Sequence, residues 1–303
     1  MSLEVKELTK IYGQQRALDN ISFYAEKGQV LGFLGPNGAG KSTTMKIATG
    51  FLVPDEGDVL VNGISVLKNP KEVSKLVGYL PEHNPLYLEM YIKEFLEFIG
   101  GIYGMGKTQI KSRVNELIQL CVLEAESDKK IGQLSKGYRQ RVGLAKALIH
   151  DPEVIILDEP TTGLDPNQLV EIRKLIKDIS QNKTLILSTH IMQEVEAICD
   201  KVVIINQGKI VASDLLKNLK SIMGKNILLL ETEENLELEW FVDFGEVSFN
   251  TDNKKSIIIS VEDEVAASRK RVLQFIQEKD LTLISIQQQE RNLESIFHQI
   301  TKQ

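Results

Sequence analysis

The sequence predicts an α/β protein. A mainly parallel core sheet is covered by helices, with a small antiparallel β subdomain ahead of it, a helical insert within it, and a small α+β domain at the C-terminal end. Three observations carry this expectation. The apolar runs at residues 30–34, 154–157 and 184–188 have the length and continuity of strands buried on both faces. Each is followed by a helix signal: Lys41 after a glycine-rich turn, Asp165-Pro166 with Asp suited to the N-cap and Pro to the first helical position, and the run from Ile191. The 303 residues correspond to about two domains at ~150 residues each.

Taken in order, residues 3–8, 18–23 and 58–62 read as strands separated by turns without helices between them, hence a small antiparallel sheet. Residues 41–51 read as a helix. From about 85 to 134 the pattern is helical: Ile92, Phe95, Leu96, Ile99 and Val114, Leu117, Ile118, Cys121 recur at i, i+3, i+4, i+7. With the helix that follows, this makes an insert over about 85–150. Strands at 154–157 and 184–188 and a helix at 191–198 complete a first domain over 1–220. The second domain, 221–303, reads as a strand at 226–230, a short helix near 236–241, strands at 246–250 and 256–261, a helix at 265–278, a strand at 281–287 and a last helix at 293–301. That order is close to βαββαβ, a ferredoxin-like split βαβ arrangement.

Composition excludes several classes. Apolar residues make up 42% and charged residues 26%, the balance of a folded globular chain rather than a disordered or fibrous one. The apolar runs fall short of the ~18 residues of a membrane span. Glu4, Lys6, Glu7 and Lys10 stand where a secretory signal needs an apolar core. Cys121 and Cys199 have no CxxC spacing and read as reduced, packed thiols of a cytosolic protein. A net charge of −6 argues against a broad nucleic-acid footprint.

The chemistry concentrates in three motifs. Gly35-Pro36-Asn37-Gly38-Ala39-Gly40-Lys41-Ser42 matches GxxxxGK[ST] between a strand and a helix. Successive backbone N–H groups and the helix N-terminus hold phosphate there, glycines allow close approach, Lys41 reaches the β- and γ-phosphates, and the Ser42 hydroxyl ligates Mg²⁺. In isolation such a stretch is a glycine-rich turn; its strand and helix neighbours favour the phosphate loop. Residues 154–157 end in Asp158-Glu159, where an Asp can hold Mg²⁺ beside the phosphates and the next carboxylate can orient or deprotonate water. Alone, that acidic pair would be a solvated loop start. The third motif is Leu134-Ser135-Lys136-Gly137-Tyr138-Arg139-Gln140-Arg141, whose bland reading is a helix start capped by Ser135.

With all three in order, residues 1–220 resemble the ATP-binding subunit of ABC transporters, a P-loop NTPase. The third motif is similar to that family's LSGGQ signature, with Lys136 in place of its first Gly and Tyr138 in place of its Gln. The resemblance implies that Tyr12 stacks on adenine, that Lys41, Ser42 and Thr43 hold phosphates and metal with Asp158 behind the metal, that Glu159 polarises the attacking water, and that His190, in Ser188-Thr189-His190, contacts the γ-phosphate. Gly163-Leu164-Asp165 resembles the loop that crosses the dimer interface. One residue departs: Glu82 occupies the place of the family's Gln and is expected to sense metal and couple to a membrane partner. His83, His150 and His298 match nothing in the family's pattern.

The resemblance further implies ATP and Mg²⁺ as cofactors and an ATP-driven dimer, homo- or heteromeric, in which Ser135 and Gly137 of one subunit cover the nucleotide of the other. It implies an integral-membrane permease as partner and a peripheral position on the cytoplasmic face of the cell membrane, with no nucleic acid. The ending Leu293-Glu294-Ser295-Ile296-Phe297 resembles multidrug- and sodium-type exporters, and the wording around residues 79–91 and 134–152 resembles the gliding-motility-associated ATP-binding subunit of Bacteroidota. The alternative class is a soluble ABC-type ATPase acting on nucleic acid or ribosomes. Its relatives carry a long coiled coil in the insert or two ATP-binding domains in one chain, and neither is present here.

Overall fold

The computed structural model describes residues 1–222, 226–250, 254–261 and 265–289. Strands β1 (Leu3–Tyr12) and β2 (Gln15–Ala25) form an antiparallel hairpin across Gly13, whose φ of 59° lies in the left-handed region that glycine tolerates. All five residues of β3 (Val30–Leu34) are buried, and α1 (Lys41–Ala48) follows it across the glycine-rich loop. Next come β4 (Glu56–Val61), β5 (Ile64–Ser65), α2 (Pro70–Leu76) and β6 (Val77–Leu80). Three helices, α3 (Ile92–Ile102), α4 (Lys107–Leu120) and α5 (Lys136–Leu148), precede β7 (Val154–Asp158). After β7 come α6 (Pro166–Ser180), β8 (Thr184–Thr189), α7 (Met192–Ile198), β9 (Lys201–Asn206) and β10 (Lys209–Leu215).

These elements build two sheets. The antiparallel one has the order β2-β1-β4-β5. The larger one has the order β10-β9-β3-β8-β7-β6, parallel from β9 to β6, with β10 added antiparallel at one edge. One apolar core joins them: Leu3, Val5 and Leu8 of the first sheet pack in the same cluster as Phe33, Ile156 and Ile186 of the second. Phe23 and Phe33 meet across it with ring centroids 5.0 Å apart.

The structure departs from the sequence reading in ways with physical causes. The helix read over 41–51 stops at Ala48: Gly50 takes a left-handed φ of 75° and donates to Ile47 O, and Phe51 is left exposed. The insert holds two short 3₁₀ turns, Glu124–Glu126 and Ile131–Gln133, between α4 and α5. As read from the sequence, Asp165 caps α6, its carboxylate accepting from Gln168 N–H at 2.9 Å, with Pro166 at the first helical position.

The chain divides into two compact units, Met1–Leu216 and Lys217–Gln303. Helix α8 (Leu216–Ile222) leads into β11 (Asn226–Thr232), β12 (Glu246–Phe249), β13 (Ser256–Val261), α9 (Val265–Glu278) and β14 (Leu283–Gln289). The sheet is antiparallel with the order β12-β13-β11-β14, so β13 separates β11 from β12. Leu228, Leu230, Ile257 and Ile259 form its core with Val272 and Ile276 of α9. The short helix read near 236–241 is a 3₁₀ helix, Leu238–Phe244. Leu238, Phe241 and Phe244 recur every third residue and all pack on this core, a spacing that three residues per turn keeps on one side. The helix read at 293–301 lies outside the described residues. No helix among the described residues is long and apolar enough to cross a membrane.

Candidate functional site

Four adjacent parallel strands, β3, β8, β7 and β6, end on the same edge of the sheet, and the loops leaving their carboxyl ends carry the chemistry. This is where open α/β sheets bind ligands. The register brings Leu34 level with Thr189, Ser188 level with Asp158, and Leu157 level with Leu80. From these ends leave the loop 35–40, His190, Glu159 and, just beyond Leu80, Glu82. They meet in one cavity of about 500 Å³ lined by Asn37–Gly38, Gly40–Thr43, Glu82, Glu159, Thr162 and His190, with Ala17 reaching it from β2.

The loop is shaped by two left-handed glycines, Gly38 at φ 80° and Gly40 at φ 111°. A Cβ on Gly40 would stand 2.6 Å from Leu18 Cδ2 and 2.7 Å from Ala17 O, so only glycine fits. Lys41 folds back over the loop: its ammonium donates to Gly35 O at 2.8 Å and Pro36 O at 3.2 Å. It also stands 3.7 Å from Glu159 Oε1. Burial pulls the Lys41 pKa below the usual range, opposed by the charges of Glu159, Asp158 and Glu82.

Glu159 is 6% exposed and sits at a φ of 51°, a conformation rare for a residue with a side chain. Its N–H donates to Ser188 O at 2.9 Å, which fixes the turn after β7. Oε1 accepts from His190 Nδ1 at 2.9 Å, and Oε2 is faced by the hydroxyls of Thr162 and Thr189, each at 3.5 Å. Asp158, 2% exposed, has an Oδ1 with no hydrogen-bond partner among the described residues. Burial raises its pKa, against the pull of the Ser188 and Ser42 hydroxyls.

The other residues singled out in the sequence lie apart from this cavity. Tyr12 is half exposed at the end of β1, beneath the Lys10 ammonium, and is not part of the lining. Gly35, Pro36 and Ala39 belong to the loop without lining the cavity. Ser135 caps α5, accepting from Tyr138 N–H at 3.4 Å, and Gly137 packs on Gln168 of α6. Neither lines the cavity that holds Lys41. Sequence reasoning missed Thr162 and the hydroxyl of Thr189. Thr189 was visible within the Ser188-Thr189-His190 run, but nothing in the sequence tells which way its hydroxyl turns.

Comparison with known proteins agrees with this fold. The sequence profile of the ABC transporter family matches residues 18–162. The chain is 32% identical over 300 residues to the bacitracin transport ATP-binding protein BcrA of Bacillus licheniformis, an alignment covering 97% of this chain and 95% of that protein. It is 31% identical over 304 residues to the linearmycin resistance ATP-binding protein LnrL of Bacillus subtilis, covering 99% and 98%. A solved ATP-binding subunit of an ABC transporter superposes with a TM-score of 0.67 at 31% identity, over 74% of this chain and 94% of that one. A dimeric ATP-binding cassette bound to ADP and Pi superposes with a TM-score of 0.64 at 26% identity, over 71% and 98%. With Lys41, Glu159 and His190 gathered around one cavity, and with relatives aligned over nearly its whole length, the chain belongs to the ABC transporter ATP-binding proteins, the ATP-hydrolysing subunits of ABC transporters.

Proposed function

We propose that this ATPase drives export through a separate integral-membrane permease, working as one of two ATP-binding subunits on the cytoplasmic face of the membrane. The observation that carries the reading is the single cavity at the ends of β3, β8, β7 and β6, which joins backbone amides of the glycine-rich loop, the Lys41 cation, the buried Glu159 carboxylate, Glu82 and His190, with Asp158 buried just behind its lining. Export is favoured by the relatives, among them the bacitracin transport protein and the Nod factor export ATP-binding protein I of Paraburkholderia xenovorans, 34% identical over 70% of each chain.

Residues 35–43 hold the phosphates. Lys41 leaves the Gly35 and Pro36 carbonyls for the β- and γ-phosphates, and Tyr12 stacks on the base. Glu159, held by His190, orients the attacking water and takes its proton, while His190 stands by the γ-phosphate. The donor set suits Mg²⁺. Among the described residues no group of three or more His, Cys, Asp and Glu is placed to hold a metal. Yet the unpartnered Asp158 oxygen and the Ser42 hydroxyl offer the one or two protein oxygens that Mg²⁺ takes when phosphates complete its shell, with Glu82 as a further oxygen at the rim. When bound, Mg²⁺ supplies charge neutralisation on the phosphate oxygens. Ser135 and Gly137, outside this chain's own cavity, close over the nucleotide of a second subunit.

The permease docks in a groove of about 570 Å³ between α2, α3 and α5, whose apolar lining of Phe51, Tyr79, Ile99, Ile102 and Tyr103 is flanked by Lys71 and Lys146. Tyr79 of this groove and Glu82 of the ATP cavity lie three residues apart at the end of β6. That spacing offers a short route from docking to chemistry.

The test is to trap the Glu159→Gln protein with ATP in its native cells, extract with mild detergent, and identify what co-purifies. A polytopic membrane protein in fixed ratio is expected, and its identity separates drug, ion or lipid export from gliding motility. Ribosomes, nucleic acid or soluble partners alone would overturn the export reading.

A further inference from the structure

One buried acid takes no part in the site as described. Glu194, in the first turn of α7, is 1% exposed and lines neither cavity. Burying a carboxyl group costs several kcal/mol unless it is hydrogen-bonded, so its partners matter. Its Oε2 meets the Thr189 hydroxyl at 3.0 Å, while its Oε1 has no partner among the described residues. The groups that face it are Thr161 and Thr189, the Arg173 side chain of α6, and Glu159; burial dominates and raises its pKa.

Thr189 stands between two acids. Its oxygen accepts from Ile191 N–H at 3.1 Å, and its single hydroxyl proton has Glu194 Oε2 at 3.0 Å and Glu159 Oε2 at 3.5 Å to choose between. A hydroxyl donates once. With Glu194 protonated, the carboxyl O–H donates to Thr189, and the Thr189 proton turns to Glu159. With Glu194 ionised, Thr189 donates to it and Oε2 of Glu159 loses this contact. Oε1 of Glu159 is fixed by His190, so Oε2 is the oxygen whose hold is variable.

We infer that Glu194 is a positioning residue for ATP hydrolysis, acting through the Thr189 hydroxyl to set the orientation of the Glu159 carboxylate. The inference rests on the reading of Glu159 as the group that orients the attacking water. Glu194 does not line the cavity and acts only through Thr189.

The experiment measures steady-state ATPase and equilibrium ATP binding on the full chain. Glu194→Leu takes away the 3.0 Å partner that, with Ile191 N–H, fixes the place of the Thr189 hydroxyl, and is expected to lower kcat by ~10- to 100-fold, the scale of a slightly misplaced catalytic group, with KM and ATP affinity within twofold. Glu194→Gln, which keeps a hydrogen-bonding partner for Thr189, is expected to recover most of the loss. Thr189→Val should match the leucine variant, Thr189→Ser should restore turnover, and the Glu194→Leu/Thr189→Val double variant should be no worse than either single one. Wild-type kcat in Glu194→Leu, additive losses in the double variant, or a loss confined to KM would overturn the inference. If Glu194→Leu does not fold, Thr189→Val against Thr189→Ser decides: equal kcat in the two sinks the relay. Glu159→Gln is run alongside. Full turnover there would refute the role of Glu159 itself, whereas loss of turnover there with no effect at Glu194 or Thr189 refutes only the relay.

Discussion

Glu159→Gln removes one charge and almost no volume, which makes its consequences computable from the site. Lys41 Nζ lies 3.7 Å from Oε1, a gross attraction of about 4 to 5 kcal/mol at an effective dielectric of about 20. That attraction helps to hold Lys41 away from incoming phosphates. If only a third of it survives desolvation, its removal is worth about 1.5 kcal/mol, or roughly tenfold tighter ATP binding. The same substitution takes away the group that accepts the water's proton, a loss of ~10²- to 10⁴-fold in kcat. The expected variant therefore binds ATP as well as or better than wild type, turns over at a hundredth or less of the rate, and accumulates as an ATP-bound dimer. Phosphate release gives kcat, titration with a fluorescent ATP analogue gives affinity, and light scattering gives mass. Turnover within threefold of wild type would refute the assignment of Glu159. Weakened ATP binding would refute the competition between Glu159 and phosphate for Lys41.

Other substitutions probe other parts of the structure. Gly40→Ala combines a φ of 111° with a Cβ 2.6 Å from Leu18 Cδ2, and should cost about 2–4 kcal/mol in denaturant unfolding and abolish ATP binding; Gly38→Ala, with nothing within 4 Å, should cost only about 1–2 kcal/mol. Mixing Lys41→Ala with Ser135→Ala protein should recover ATPase that neither has alone, since a mixed dimer keeps one complete composite site; no recovery would count against nucleotide sharing between subunits. Glu194 has its pKa raised in the fold, so relative to the unfolded chain it takes up a proton as pH falls, and stability is gained as pH drops through the folded value. Glu194→Gln should therefore raise Tm at pH 8 and lose that advantage toward pH 5; an advantage independent of pH would show that ionisation is not what it removes. Leu187→Ala, in a fully buried position of β8, should cost about 2–5 kcal/mol without changing KM.

What the sequence made legible was whatever depends on spacing along the chain. Gly35 to Ser42 between a strand and a helix, Asp158-Glu159 after a buried run, and Asp165-Pro166 at a helix start are local patterns, and local hydrogen bonds realise them. Elements held by distant partners were not legible. β5 is two residues long and exists by pairing with β4. The β9–β10 hairpin is a local element that the reading passed over: residues 202–205 are a buried apolar run, and the turn goes through Gln207 and Gly208, both at positive φ. Phe51 looked periodic with the helix before it, but Gly50 unwinds the chain first. The Thr189 hydroxyl, the back-folded Lys41 and the buried Glu194 carboxyl depend on directions in space, which residue spacing does not encode.

The position of β6 has a mechanical consequence. It is four residues long, among the described residues pairs only with β7, and forms the margin of the six-stranded sheet. A margin strand can slide or lift by breaking one ladder, where an interior strand must break two. Its brevity also denies a neighbouring molecule a template for edge-to-edge pairing. The segment that carries Tyr79 toward one chamber and Glu82 toward the other is thus the part of the sheet that yields at least cost. A push on the groove side can be transmitted as a small displacement of that margin while β3, β7 and β8 keep the phosphate loop and the acidic pair in register.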